Sequence, residues 1–266
     1  MEDKTKQLWD ETPGMCEEIP TITEYLPKDK KSDIAIIIFP GGGYGMRAGY
    51  EGKDYAEFLA ENGHTAFVVD YRVAPHKFPL PLLDARRAIR TVRHNADKYR
   101  IDKNKIAVMG SSAGGHLAAL CSTYFEPIEF ENVDEIDKED FIPNYQILCY
   151  PVISLFGKAI THFGSGMNLL GELLPEKCEE LSPHLIVSPK TPPAFIWHTF
   201  ADGGVNVKNS LMYAQSLKDY DVPTEMHIFP DGRHGLGLAL EKDKISRHVR
   251  AWSIMLLKWL VYIDRN

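Results

Sequence analysis

Two serines lie between small residues at Gly110-Ser111-Ser112-Ala113-Gly114. The run before them, Ile106–Met109, is short, apolar and partly β-branched, which predicts a buried strand, and His116–Leu120 after them opens a helix. A serine in G-x-S-x-G between strand and helix sits on a turn so tight that the residues two before and two after it must be small. Gly110 and Gly114 meet this around Ser112 only. Around Ser111 the flanking positions hold Met109 and Ala113, and Met109 would clash. Ser112 is therefore the candidate nucleophile, its hydroxyl lifted above the sheet edge and the N–H of Ala113 aimed at the same space. For the pentapeptide alone, a glycine-rich turn with an incidental serine is the competing reading.

A serine hydroxyl needs a base to take its proton, and the base needs a group that orients it and stabilises its charge. In an open α/β sheet such groups stand at the carboxyl ends of strands. Two loops qualify. His198-Thr199-Phe200-Ala201-Asp202-Gly203-Gly204-Val205 closes one predicted strand, and Pro230-Asp231-Gly232-Arg233-His234-Gly235 follows the next. Ser112, Asp202 and His234 then give nucleophile, acid and base in the chain order of α/β-hydrolases. Taken singly, Asp202 could be a turn-former before Gly203, and His234 an exposed loop residue. Asp231 reads as a turn residue, His116 as packed on the nucleophile helix, and His198 as a cap of its strand end. Arg72 and Asp84 read as a structural ion pair.

An acyl-transfer site also needs amide donors for an oxyanion. Pro40-Gly41-Gly42-Gly43-Tyr44 follows the first strongly buried strand, and glycine lets bare backbone approach a substrate. A rival reading takes Gly43-x-Gly45-x-x-Ala48, with Asp70 ending the next strand, as a dinucleotide fingerprint, which nucleotide-induced thermal stabilisation would reveal. It leaves Ser112, Asp202 and His234 unexplained. No cofactor is expected. The ten histidines form no recognisable spaced metal-ligand pair, so no metal is expected either.

The elements needed to position these residues are legible in the periodicity. Buried strands are expected at Asp33–Phe39, Thr65–Val69, the run before Ser112, Tyr145–Tyr150, Ala194–Thr199 and Thr224–Phe229, with one or two short outer strands in Glu17–Pro27. Helices are expected at Glu51–Asn62, at Asp84–Tyr99 with its basic residues on the face away from the core, from Ser112 to about Tyr124, at Val207–Tyr220 and over most of Leu238–Ile263. Strands alternating with helices imply a mostly parallel sheet covered on both faces. Residues 126–142 are acidic and read as a solvated excursion. Residues 151–189 are too long for a tight loop and too short for a domain, and read as a small cap within a single domain spanning 1–266.

The chain has 266 residues, 44% of them hydrophobic, enough for one large domain. Its net charge is −7 and no Lys/Arg cluster stands out, so neither nucleic acid nor an anionic membrane is an expected partner. The first ten residues are charged, no apolar run spans a bilayer, and four scattered cysteines suit free thiols. A cytoplasmic location is expected, with a small-molecule substrate; a homodimer stays open.

On PGGGY at Pro40–Tyr44, DYR at Asp70–Arg72, GSSAGGHLAA at Gly110–Ala119, HTFADGGV at His198–Val205 and GRHG at Gly232–Gly235, the chain resembles the hormone-sensitive-lipase-like esterases, in their bacterial acetylesterase and xylan-esterase branch. The resemblance implies an α/β-hydrolase fold with a mostly parallel sheet of about eight strands. It implies that Gly42, Gly43 and Ala113 supply the oxyanion N–H groups, and that the chain is a serine carboxylester hydrolase of short acyl esters, including acetylated sugars or xylan fragments. A peptidase or formamidase on the same fold, and a non-catalytic binding protein, are the alternatives. Three positions depart from the group: Pro40 stands where many relatives have His, Ala201 where an acidic residue is frequent, and Asn206 where Pro is common. Tyr44, Arg47 and Glu51, near the expected mouth, suit a hydroxyl-rich leaving group, or else only pack the loop.

Overall fold

The computed structural model describes residues 5–14, 17–128, 134–157 and 160–265. Cys16 and residues 129–133 of the acidic stretch lie outside them.

The β-branched runs form the strands they predict. In chain order these are β1 (Thr5–Gln7), β2 (Thr21–Tyr25), β3 (Ala35–Phe39), β4 (Thr65–Asp70), β5 (Ile106–Ser111), β6 (Tyr145–Cys149), β7 (Ala194–Thr199) and β8 (Thr224–Phe229). They make one sheet in the order β1-β2-β4-β3-β5-β6-β7-β8. β1 and β2 are antiparallel, and every pairing from β4 to β8 is parallel. The helices are α1 (Gly49–Glu61), α2 (Leu80–His94), α3 (Ala96–Tyr99), α4 (Ser112–Thr123), α5 (Phe163–Leu170), α6 (Pro175–Glu180), α7 (Lys208–Asp219), α8 (Lys244–Val249) and α9 (Ala251–Arg265). No helix among the described residues is long and apolar enough to cross a membrane.

Alternate residues of each central strand face opposite layers, as the pleat dictates. Ala35, Ile37 and Phe39 join the core built with α2, α4 and α7, whereas Ile34, Ile36 and Ile38 join the core built with α1 and α9. The chain steps from β3 outward to β4 and then back across to β5. The carboxyl ends of β3 and β5 are thus neighbours at the point where strand order reverses, the place where open α/β sheets bind ligands.

The basic face of α2 departs from expectation. Arg86, Arg87, Arg90 and Arg93 are buried, not solvated. Arg86 donates to the Tyr124 carbonyl at 2.7 Å, Arg90 to that of Glu139 at 3.0 Å and Arg93 to that of Ile142 at 2.9 Å. Arg87 pairs with Asp134 at 2.6 Å and Asp137 at 3.0 Å. The described part of the acidic excursion is therefore packed onto α2. Guanidinium groups can do this because they satisfy several acceptors in one plane and stack on rings, as Arg86 does on Phe141 at 3.9 Å.

Arg72 and Asp84 do form a buried pair, both side chains 0% exposed, with a bidentate contact at 2.8 and 2.7 Å. The Asp84 carboxylate also accepts the Arg72 amide at 2.9 Å and the Trp9 indole at 3.3 Å. Removing one partner leaves the other charge buried and unpaired. Asp84→Ala is expected to destabilise the fold by about 3–5 kcal/mol, read by urea denaturation. Replacing the pair together is expected to cost less than the single change.

Candidate active site

The elbow after β5 is built by steric exclusion. A Cβ on Gly110 would collide with the Gly114 carbonyl, and one on Gly114 with the Phe39 carbonyl. Ser112 occupies the tip at φ +53°, a left-handed conformation that a non-glycine residue adopts only when its surroundings impose it. Ser111 points the other way: it is wholly buried and its Oγ lies 3.1 Å from the Tyr55 hydroxyl. The register read from Gly110 and Gly114 is the one observed.

Ser112, Asp202 and His234 meet. His234 Nε2 lies 2.8 Å from Ser112 Oγ, and His234 Nδ1 lies 2.7 Å from Asp202 Oδ2. Asp202 Oδ1 accepts the amides of Gly204 at 2.8 Å and Val205 at 2.9 Å, which fixes its plane. Burial alone would raise the Asp202 carboxyl, but hydrogen bonds from His198 and His234 hold it well below the ordinary carboxylate range. It stays ionised, so His234 keeps its Nδ1 proton and presents Nε2 to Ser112 as an acceptor. Asp231 is exposed.

His198 does more than cap its strand. Its Nε2 stands 3.0 Å from the Val205 carbonyl and 3.3 Å from Asp202 Oδ2, and its Nδ1 accepts from Ser210 at 2.8 Å. Asn206, at the position where relatives carry proline, holds the same loop by accepting the Lys208 amide at 3.0 Å.

The glycine loop after β3 lies against the elbow. Gly42 and Gly43 have φ of +131° and +65°, and a Cβ on Gly42 would collide with the Met46 carbonyl. The Gly41 amide is taken by Glu51 Oε2 at 2.8 Å, and the amides of Gly42 and Gly43 come next in the run.

The three polar residues expected at the mouth are spent on the loop itself. Tyr44 is wholly buried, with its hydroxyl 2.8 Å from His116 Nδ1. His116 Nε2 in turn donates to the Leu181 carbonyl at 2.8 Å, and burial pushes this imidazole down to about 4. Arg47 binds Glu18 and the Tyr71 carbonyl, each at 2.7 Å. Glu51 is buried beneath Gly41. Bare backbone makes the turn, so side chains are drawn under it to satisfy its polar groups.

Sequence reasoning expected a short helix around Met167–Leu174 but named no site residue on α5, which lies on this loop. Asn168 Nδ2 donates to the Gly43 carbonyl at 2.9 Å, and Ser165 Oγ and His162 Cε1 lie about one van der Waals contact from where a Cβ on Gly43 would be. Burial and the nearby His234 both lower the His162 imidazole, against Asp202. The one local signal was His162-x-x-Ser165, since the His162 side chain caps α5 by accepting the Ser165 amide.

Known proteins resemble the chain in sequence and in fold. The chain is 44% identical to an acetyl ester-xyloside bifunctional hydrolase from Caldicellulosiruptor lactoaceticus, whose crystal structure superposes with a TM-score of 0.89 over 97% of this chain and 96% of that one. It is 37% identical over 228 residues to endo-1,4-beta-xylanase B of Butyrivibrio fibrisolvens, and 34% identical over 219 residues to an acetylxylan esterase of Xylanibacter ruminicola. Those alignments take in 83% and 80% of this chain but only 35% and 43% of the two relatives, so the match spans less than half the length of either. The family model for BD-FAE matches residues 23–217, from β2 through the glycine loop, the elbow and the Asp202 turn. That match takes in most of the chain, which belongs to the BD-FAE family within the α/β-hydrolase fold.

Proposed function

We propose that this chain is a serine carboxylester hydrolase of short acyl esters, with acetylated sugars or xylan fragments as its substrate class. The observation that carries the reading is the unbroken line from Asp202 through His234 to Ser112, at 2.7 and 2.8 Å. The names borne by the relatives from Caldicellulosiruptor and Xylanibacter support the acetyl-sugar class.

The mechanism follows from that line. His234 Nε2 takes the Ser112 proton as Oγ bonds to the ester carbonyl carbon. The carbonyl oxygen gains the negative charge, and the amides of Gly42, Gly43 and Ala113 receive it. As the tetrahedral centre collapses, the bond to the alcohol oxygen breaks and His234 gives its proton to that oxygen. Water then attacks the acyl carbon with His234 again as base, and the acid leaves as Ser112 recovers its proton. Asp202 stabilises the imidazolium in both halves.

The stretch 151–189 acts as a compact cap. Its helix α5 is eight residues long, α6 six, and α5 already rests on the Gly43 carbonyl through Asn168. A long acyl chain would need an apolar trough, because each buried methylene contributes about 0.8 kcal/mol. Neither short helix builds one. In a 4-nitrophenyl ester series from acetate to palmitate, kcat/KM is expected to be highest at roughly two to four acyl carbons and to fall beyond, with an acetylated xylo-oligosaccharide also hydrolysed. A kcat/KM that climbs steadily past about eight carbons would overturn the short-acyl reading. A reducing cytoplasm suits the same reading, since Cys121, Cys149 and Cys178 are buried free thiols.

A further inference from the structure

Glu51 is a buried carboxylate, 2% exposed, in the first turn of α1. Among the described residues no lysine or arginine pairs with it. Its partners are neutral donors: the Gly41 amide at 2.8 Å on Oε2, and on Oε1 the Tyr150 hydroxyl at 2.6 Å and, more distantly, the Tyr50 hydroxyl at 3.4 Å. Such a group is costly to keep, and its carboxyl is raised by burial against those hydrogen bonds.

Its position is central to the site. A Cβ on Gly41 would collide with Glu51 Oε2 and with the Ser111 carbonyl and would stand 3.2 Å from the Ser112 Cβ. Gly41 is therefore packed closely against both the carboxylate and the nucleophile elbow, which sets where the Gly42 and Gly43 amides fall. The Tyr150 hydroxyl that donates to Glu51 accepts the Gly237 amide at 3.0 Å, and its ring stands edge-on to the His234 imidazole at 5.1 Å. Tyr50, the residue before Glu51, donates to the Gly235 carbonyl at 3.0 Å. One carboxylate thus ties the glycine loop to the turn that carries the base. The positive charge within its field is the imidazolium that forms on His234 when Ser112 gives up its proton.

We infer that Glu51 is a positioning residue for the acyl-transfer site: it fixes the glycine loop against Ser112 and the Tyr150–Gly237 contact behind His234, and its uncompensated charge favours the imidazolium. The inference rests on the proposed serine-esterase reading. A charge that is poorly matched at rest and better matched in the transition state is differential stabilisation. The groups facing His234 are Asp202, Glu51, His162 and the Tyr150 ring, with Arg233 beside it in sequence.

The test uses 4-nitrophenyl acetate with the full chain and four variants. Ser112→Ala must abolish turnover, and a wild type that does not turn over sinks the parent reading and this one with it. Glu51→Gln keeps the shape and removes the charge. It is expected to lower kcat by about 10- to 100-fold with KM within about twofold, to move the acid limb of kcat/KM to lower pH, and to leave the melting temperature unchanged or higher. Glu51→Asp is expected to recover part of kcat. Tyr150→Phe keeps the Glu51 charge but removes both its hydrogen bond from Tyr150 and the link to Gly237, and is expected to lower kcat about tenfold at constant KM. If Glu51→Gln retains wild-type kcat and an unmoved acid limb, or does not fold while Tyr150→Phe retains wild-type kcat, the inference is overturned while the esterase reading stands.

Discussion

Ser112→Ala is expected to lower kcat by about 10⁴- to 10⁶-fold with little change in folding. The size follows from the elbow. Removing Oγ deletes the atom that His234 Nε2 approaches at 2.8 Å. Ser111 is the adjacent candidate, but its Oγ is wholly buried against Tyr55. A fluorophosphonate is accordingly expected to add one label, on Ser112, visible by intact mass and peptide mapping. A label that persists in Ser112→Ala, or that maps to Ser111, would contradict the assignment. Folding should be spared because the left-handed backbone at Ser112 is imposed by Gly110, Gly114 and their neighbours, not by the hydroxyl.

Asp202→Asn is expected to lower kcat by up to about 10⁴-fold. The Gly204 and Val205 amides both donate to Oδ1, so they will hold the asparagine carbonyl oxygen there and turn its NH₂ toward His234 and His198. Facing a donor, His234 must accept on Nδ1 and carry its proton on Nε2, where it cannot take the Ser112 proton. Asp231→Asn, on an exposed residue, is the control and is expected to stay within about twofold of wild type. Greater harm from Asp231→Asn would show the loops to be wrongly assigned. A pH signature accompanies the change. The folded carboxyl lies below its unfolded value of about 3.9, so Asp202 stabilises the fold above that value and loses its contribution as pH falls toward the folded value. Asp202→Asn is expected to flatten this acid limb in urea-melt stability measured below about pH 4.

The sheet and the three-residue line were legible for the same reason. β3 to β8 are rich in β-branched and apolar residues, and Ser112, Asp202 and His234 each follow one of them, so strand ends alone bring them together. Gly110 and Gly114 carried the register because their contacts are with neighbouring backbone. What stayed illegible depends on partners remote in sequence. Nothing near Glu51 in the chain points to Tyr150, and nothing near Tyr44 points to His116. A charged stripe on α2 has the same spacing whether it meets water or the carbonyls of residues 124–142, so Arg86, Arg90 and Arg93 read as surface until the covering segment is known. The cap residue Asn168 is a single side chain on a short helix, with no period to betray it.

Ser112 and His234 are 122 positions apart, just after strands β5 and β8, with β6 and β7 between them. During synthesis the nucleophile therefore emerges well before its base, by a delay on the order of ten seconds at ordinary elongation rates. A nascent chain interrupted anywhere in that interval carries the serine elbow without the histidine that deprotonates it. On the proposed mechanism, ribosome-bound intermediates and fragments that end before His234 are inert, and activity waits for β8 to dock and for the turn after it to bring His234 to Ser112.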